Sequence, residues 1–245
     1  MTETPPVPSR DAYVSIENHA GWAEVRLDRA ERRNALSWDL VGDLVAALES
    51  AAASTPVVVL SAAGPTFCAG GDRHDAEAGR RAPLEELVTA MNGCPSFVIA
   101  RVHGDVHGGG LALLTACPVV ICSSTASFVL PAAADRDVFP DGFFSYIGGD
   151  AAGRRLVEFG LRSVPISAER AAGMGLVTSV VPPELLDREV SAWVSDAVAR
   201  PGATGGARRY WQDRINGQLG RGPAPRPQSG PGSPARPPRS EDAAG

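Results

Sequence analysis

The chain has 245 residues, 44% hydrophobic content and a formal net charge of −5. That length suits one domain with a substantial core, and the acidic balance leaves no electrostatic footprint for nucleic acid. No apolar run reaches the roughly 20 residues that cross a bilayer. Met1 to Arg10 carries no signal-like apolar core, so a cytoplasmic protein with no membrane contact is expected. The four cysteines, Cys68, Cys94, Cys117 and Cys122, form no CxxC pair or His/Cys zinc spacing. They read as reduced, mostly buried thiols, and no metal site is read from the sequence. Lysine is absent, which excludes Schiff-base and lysine-base chemistry.

Taken in chain order, residues 1–10 are a flexible N-terminus. Tyr13–Glu17 and Trp22–Leu27 alternate apolar and polar residues around Asn18-His19-Ala20-Gly21, a β-hairpin pattern. Ser37 is a helix N-cap, with Leu40, Leu44, Ala47 and Leu48 on one face. Val57–Leu60 is a buried strand, Arg73 to Ala82 an aperiodic loop, and Leu84–Met91 a helix. Strands follow at Phe97–Val102, Val119–Cys122 and Phe128–Leu130, with a helix over Leu111–Ala116. Ser145–Gly160 and Ala168–Met174 suit helices, Val177–Val181 a strand and Leu185–Ala199 a helix. Residues 11–200 thus form an α/β core in which strands alternate with helices. Residues 201–216 carry one residual helix, read over Ala207–Ile215. Residues 217–245 are too rich in Pro, Gly and Arg to order themselves.

Two glycine-rich turns each follow a buried strand: Phe67-Cys68-Ala69-Gly70-Gly71-Asp72, and His107-Gly108-Gly109-Gly110 leading into Leu111. Glycines between a strand and a helix admit close approach of another molecule to main-chain N–H groups. The helix dipole adds positive potential there. A phosphate or a developing oxyanion suits such a place, but neither a Walker lysine nor GxGxxG spacing is present.

These two motifs, FCAGGD and HGGGLALLTA, resemble those of the crotonase (enoyl-CoA hydratase/isomerase) superfamily. Arg33-Asn34-Ala35-Leu36-Ser37, Ser127-Phe128-Val129-Leu130-Pro131, Ala168 to Val177 and Val180-Val181-Pro182 agree in order and spacing, from about Ala12 to about Ile215. The resemblance implies repeated ββα units wound into a spiral, with helical C-terminal elements that are shortened here. It implies an oxyanion hole made by the main-chain N–H groups of Gly71 and Gly109, acting on a thioester. It also implies that Arg33, Ala35 and Ala69, with Arg29, hold coenzyme A. No cofactor beyond coenzyme A or phosphopantetheine, as the substrate's carrier, is expected. The resemblance also implies a homotrimer or a hexamer of trimers.

The chain departs from the hydratase pattern. Hydratases of the family place glutamates where this chain has Ala112 and Ala132, and alanine exchanges no proton. Phe139-Pro140-Asp141-Gly142 resembles the FPDVG of 3-hydroxyisobutyryl-CoA hydrolases, which makes Asp141 the candidate acid or base. His107, beside the glycines, is a second candidate proton carrier, and His74 and Tyr146 are further substrate-facing candidates; His19 and His103 read as structural. The expected function is an acyl-CoA or acyl-carrier-protein enzyme of isomerase, decarboxylase or lyase type in specialised metabolism. Two alternatives stand beside it: a thioester hydrolase using Asp141, and a non-catalytic acyl-thioester-binding subunit.

Overall fold

The computed structural model describes residues 12–80, 82–129 and 164–218. The predicted hairpin forms, with β1 (Val14–His19) antiparallel to β2 (Trp22–Leu27). Ser37 caps α1 (Trp38–Ala52), its side chain accepting the Leu40 N–H. From there the chain alternates between two sheets. Strands β3 (Val57–Ala62), β5 (Phe97–Val102), β7 (Val119–Ser123) and β10 (Ser179–Val181) extend the hairpin into a six-stranded sheet, ordered β1-β2-β3-β5-β7-β10. Strands β4 (Thr66–Cys68), β6 (Asp105–His107), β8 (Ser127–Val129) and β9 (Ile166–Ser167) build a second sheet in the order β4-β6-β8-β9. Each repeat contributes one strand to each sheet, and both sheets advance together. Helices α2 (Arg73–Glu77), α3 (Leu84–Gly93), α4 (Gly109–Ala116) and α5 (Ala168–Gly173) fill the crossovers. This is the ββα spiral that the motifs imply.

The pleat sorts the apolar residues into two cores. Val58 and Leu60 of β3 face the main core with Val25, Leu27, Leu40 and Leu111, whereas Val57 and Val59 face the other way. That second face is covered by α6 (Leu186–Ala199) through Leu186, Val190 and Val194. Helix α4 is buried along its whole length, so its sequence carries no polar stripe by which to read its start.

Three expectations change. Residues 73–82 are not a loop throughout: Asp72 accepts the N–H groups of His74 and Asp75 and so nucleates the short helix α2. The second sheet was only partly visible, because β4, β6 and β9 are two or three residues long. The last helix, α7 (Pro201–Gln218), starts six residues before Ala207 despite Gly202, Gly205 and Gly206. Proline at the first helical position is compatible with that start. Tertiary contacts hold it: Gln212 Nε2 donates to the Asn92 carbonyl at 2.5 Å, Trp211 Nε1 to the Thr115 carbonyl at 3.1 Å, and Ile215 is buried. The expected helix over Ser145–Gly160 and the tail from residue 219 lie outside the described residues. Among the described residues no helix is long and apolar enough to cross a membrane.

Because Gln212 serves carbonyls at the C-terminal end of α3, Gln212→Ala should lower stability by about 1–2 kcal/mol. Urea unfolding measures the loss, and amide exchange should quicken in α7 before the sheets.

Candidate active site

The first glycine turn is fastened to the segment before α1. Arg33 and Asn34 both adopt left-handed backbone at φ 52°, a conformation that asparagine tolerates better than most residues. Asn34 is fully buried and hydrogen-bonds on every side. Its Oδ1 accepts the Arg29 N–H at 3.0 Å, and its Nδ2 donates to the Ala63 and Thr66 carbonyls at 2.8 Å each. The corner then runs beside the glycines. Ala69 N–H donates to the Arg33 carbonyl, Leu36 N–H to the Gly70 carbonyl, and Asp72 N–H to the Leu36 carbonyl, at 2.9, 2.7 and 3.0 Å. Since successive N–H groups along an extended segment point to opposite sides, the Gly71 N–H is turned away from Leu36.

The second turn uses its three glycines differently. Gly108 has φ 48° and ψ −118°, a region that side chains rarely enter, and its N–H donates to the Val129 carbonyl at 2.9 Å. A Cβ on Gly109 would stand 3.1–3.2 Å from Leu84 and Leu36, and one on Gly110 would stand 2.9 Å from the Cys68 Cβ. The two turns touch through Gly70. At φ 85°, a Cβ there would lie 3.0 Å from the His107 carbonyl oxygen and 3.4 Å from the Gly109 nitrogen. Among the described residues, neither the Gly71 nor the Gly109 N–H has a protein acceptor. Gly109 is buried and opens α4, so its N–H carries the positive end of the helix dipole.

Charged side chains brace this junction from behind. Arg29 was an expected coenzyme ligand, but its guanidinium turns inward. Its Nη1 donates to Asp72 Oδ2 at 2.5 Å and to the Ala35 carbonyl at 3.1 Å, and its Cζ lies 4.9 Å from the Tyr13 ring centre. The pair is largely shielded, with side-chain exposures of 13% and 9%. Burial works against both charges, yet the contact prevails: it holds the Asp72 carboxyl below its ordinary range and the Arg29 guanidinium above its own. Asp75, which no motif singles out, is also buried. It accepts the Trp38 N–H at the start of α1 and the Arg80 guanidinium. Cys68 lies under the turn, fully buried, and desolvation pushes its thiol up to about 12. It packs and does not act as a nucleophile.

The other predicted positions separate into three groups. Arg33, Ala35 and Ala69 come together at the zipped corner, with the Arg33 side chain exposed, Ala69 half-buried and Ala35 buried. His107 is half-buried at the end of β6, on the strand face opposite Val106, and His74 is exposed on α2. Asp141, Tyr146 and Ala132 lie outside the described residues. Ala112 stands three residues beyond Gly109 on α4, fully buried, so no carboxylate faces the glycines from that position.

Residues 17–204 match the enoyl-CoA hydratase/isomerase family over most of the chain. The chain belongs to this family. A probable enoyl-CoA hydratase of Rhodobacter capsulatus is 33% identical over 177 residues, covering 69% of this chain and 68% of that protein. An enoyl-CoA hydratase of Alternaria alternata is 33% identical over 130 residues, 51% of this chain. The match spans only 44% of that fungal protein. Among solved structures, an enoyl-CoA hydratase of Mycobacterium smegmatis superposes with a TM-score of 0.69 at 27% identity, covering 86% of this chain and 90% of that one. Membership in the enoyl-CoA hydratase/isomerase family accounts for the two-sheet α/β fold.

Two measurements test the junction. Gly70→Ala should cost about 1–3 kcal/mol by calorimetry, because the new methyl both strains the backbone and presses on the His107 carbonyl. Asp72→Asn should lower stability at pH 7 by roughly 2–3 kcal/mol, since it leaves Arg29 shielded without its counter-charge. A depressed carboxyl stabilises the fold above its unfolded value near pH 4 and loses that contribution as pH falls through the folded one. Wild type should therefore weaken more steeply than Asp72→Asn below about pH 4, as read by acid titration of circular dichroism.

Proposed function

We propose that this protein is an enzyme acting on an acyl-CoA or acyl-carrier-protein thioester through a stabilised enolate. The observation that carries the reading is the junction of the two glycine turns. It leaves two main-chain donors, Gly71 N–H and the Gly109 N–H that opens a buried helix, without protein acceptors among the described residues. A thioester oxygen bound there gains negative charge as the enolate forms, and one such donor is worth roughly 3–4 kcal/mol of barrier. Family membership and the names of the relatives support the acyl-CoA substrate class. The exposed Arg33, with Ala35 and Ala69, holds the coenzyme end; Arg29 is committed to Asp72 and is withdrawn from that role.

The reaction is of isomerase, decarboxylase or lyase type. Relatives are named hydratases, but Ala112 places a methyl group where a hydratase glutamate would stand. Asp141 and His107 are the proton carriers in this reading. The protein works in the cytoplasm, in specialised metabolism, as a homotrimer or a hexamer of trimers. The same alanine favours one competing reading, an acyl-thioester-binding subunit without turnover.

Mass spectrometry after incubation with crotonyl-CoA, malonyl-CoA and 3-hydroxyacyl-CoA separates the outcomes. A double-bond shift, loss of carbon dioxide or carbon–carbon cleavage supports the proposal, with turnover falling at least a hundredfold in Asp141→Asn or His107→Gln. Rapid hydration of crotonyl-CoA would overturn the argument from alanine. Free coenzyme A would point to thioester hydrolysis, and tight binding without product to the subunit.

A further inference from the structure

The hairpin end of the six-stranded sheet, remote in the fold from the glycine turns, carries three side chains with metal-ligating atoms. Glu17 of β1 and Glu24 of β2 are directly opposite in the antiparallel register, and His19 lies two residues beyond Glu17 on the same strand face. One ligand atom from each of the three falls within 4.8 Å of the others. Two carboxylates directly across a ladder repel each other. Arg26, on the same face of β2, is committed to Asp28 at 3.3 Å.

The His19 side chain, 31% exposed, is held by its neighbours. Its ring stacks on Trp22, 4.0 Å between centres and 13° from parallel, which fixes the imidazole edge. Its Nε2 is shut off from solvent and has no hydrogen-bond partner among the described residues. The nearest acidic oxygen, Glu17 Oε1, stands 3.6 Å away, beyond hydrogen-bonding distance. That gap fits a shared ion. A zinc ion with ligand bonds of about 2.1 Å at the tetrahedral angle holds its ligand atoms about 3.4 Å apart. Glu24 is oriented in turn: Ser61 Oγ donates to its Oε1 at 2.5 Å, the kind of outer contact that steadies a metal ligand. Glu24 also lines a cavity of about 420 Å³, with Arg26, Ser61, Arg101 and Asp187.

We propose that Glu17, His19 and Glu24 form a binding site for a first-row divalent cation of the zinc class, with water completing the coordination. One nitrogen and two carboxylate ligands suit Zn²⁺ and its spectroscopic substitute Co²⁺ better than Mg²⁺ or Ca²⁺, which take oxygen ligands throughout. The ion removes the Glu17–Glu24 repulsion and ties the edge strand β1 to β2. This site is independent of the thioester reading.

Tag-free full-length protein, stripped with chelator and dialysed, should take up one Zn²⁺ per chain by native mass spectrometry. Its Tm should rise by roughly 5 °C or more at a hundredfold excess over Kd. Co²⁺ should give visible d–d absorption without a thiolate charge-transfer band. Glu17→Gln, Glu24→Gln and His19→Gln should each weaken uptake at least tenfold. Glu17 is largely exposed on an edge strand, so Glu17→Gln keeps the test valid if His19→Gln fails to fold. The proposal is overturned by absent uptake, by uptake unchanged in Glu17→Gln, or by a thiolate band placing the ion on a cysteine.

Discussion

Main chain lies against main chain where Gly70 meets His107 and Gly109, and no side chain fits between them. That contact decides the geometry of everything around it. It puts the end of β4 against the start of α4, so that two turns 38 residues apart in sequence form one surface. It also leaves the buried Gly109 N–H without a protein partner among the described residues. A buried donor without an acceptor costs stability, and a chain that keeps one has a use for it. A transient oxyanion is such a use, since it accepts the bond only as the barrier is crossed.

Preorganisation of this kind needs support from groups that never meet the substrate. Asn34 performs that work for the first turn by joining Arg29, Ala63 and Thr66 through one side chain. The Arg29–Asp72 pair adds a second tie, because Asp72 Oδ2 holds the arginine while Oδ1 caps α2. Asp75 completes the frame by holding the first N–H of α1. Asn34, Asp72 and Asp75 are buried with hydrogen bonds to their carbonyl, amide and carboxyl groups, which makes them rigid rather than costly. The inward commitment of Arg29 therefore serves the shape of the junction.

The chemistry separates from the frame at Ala112. The family is shared with relatives named as hydratases, and the proposed enolate chemistry rests on the two main-chain donors of the glycine turns. Ala112, however, supplies no proton carrier from α4. In the proposed reading the anion-stabilising half is kept and the proton-transfer half is altered, one way for a scaffold to move between reactions. Function then depends on the side chains around the hole and not on the hole itself.

Local pattern alone determined the hairpin, the Ser37 cap, β3, β5, β7, α1, α3 and α6, because each has a clear period or a cap of its own. It also made the two glycine motifs legible, since glycine clusters between a strand and a helix have few physical reasons to exist. Three things were decided only in three dimensions. The strands of the second sheet are too short to carry a period, and pairing with neighbours, not propensity, makes them strands. The first turns of α7 are glycine-rich and stand because Trp211, Gln212 and Ile215 anchor the helix on α3 and α4. The direction of Arg29 depended on Asp72, 43 residues later, arriving within reach of its guanidinium. Sequence records which groups a chain owns; only packing brings distant ones within the few ångströms over which hydrogen bonds and charges act.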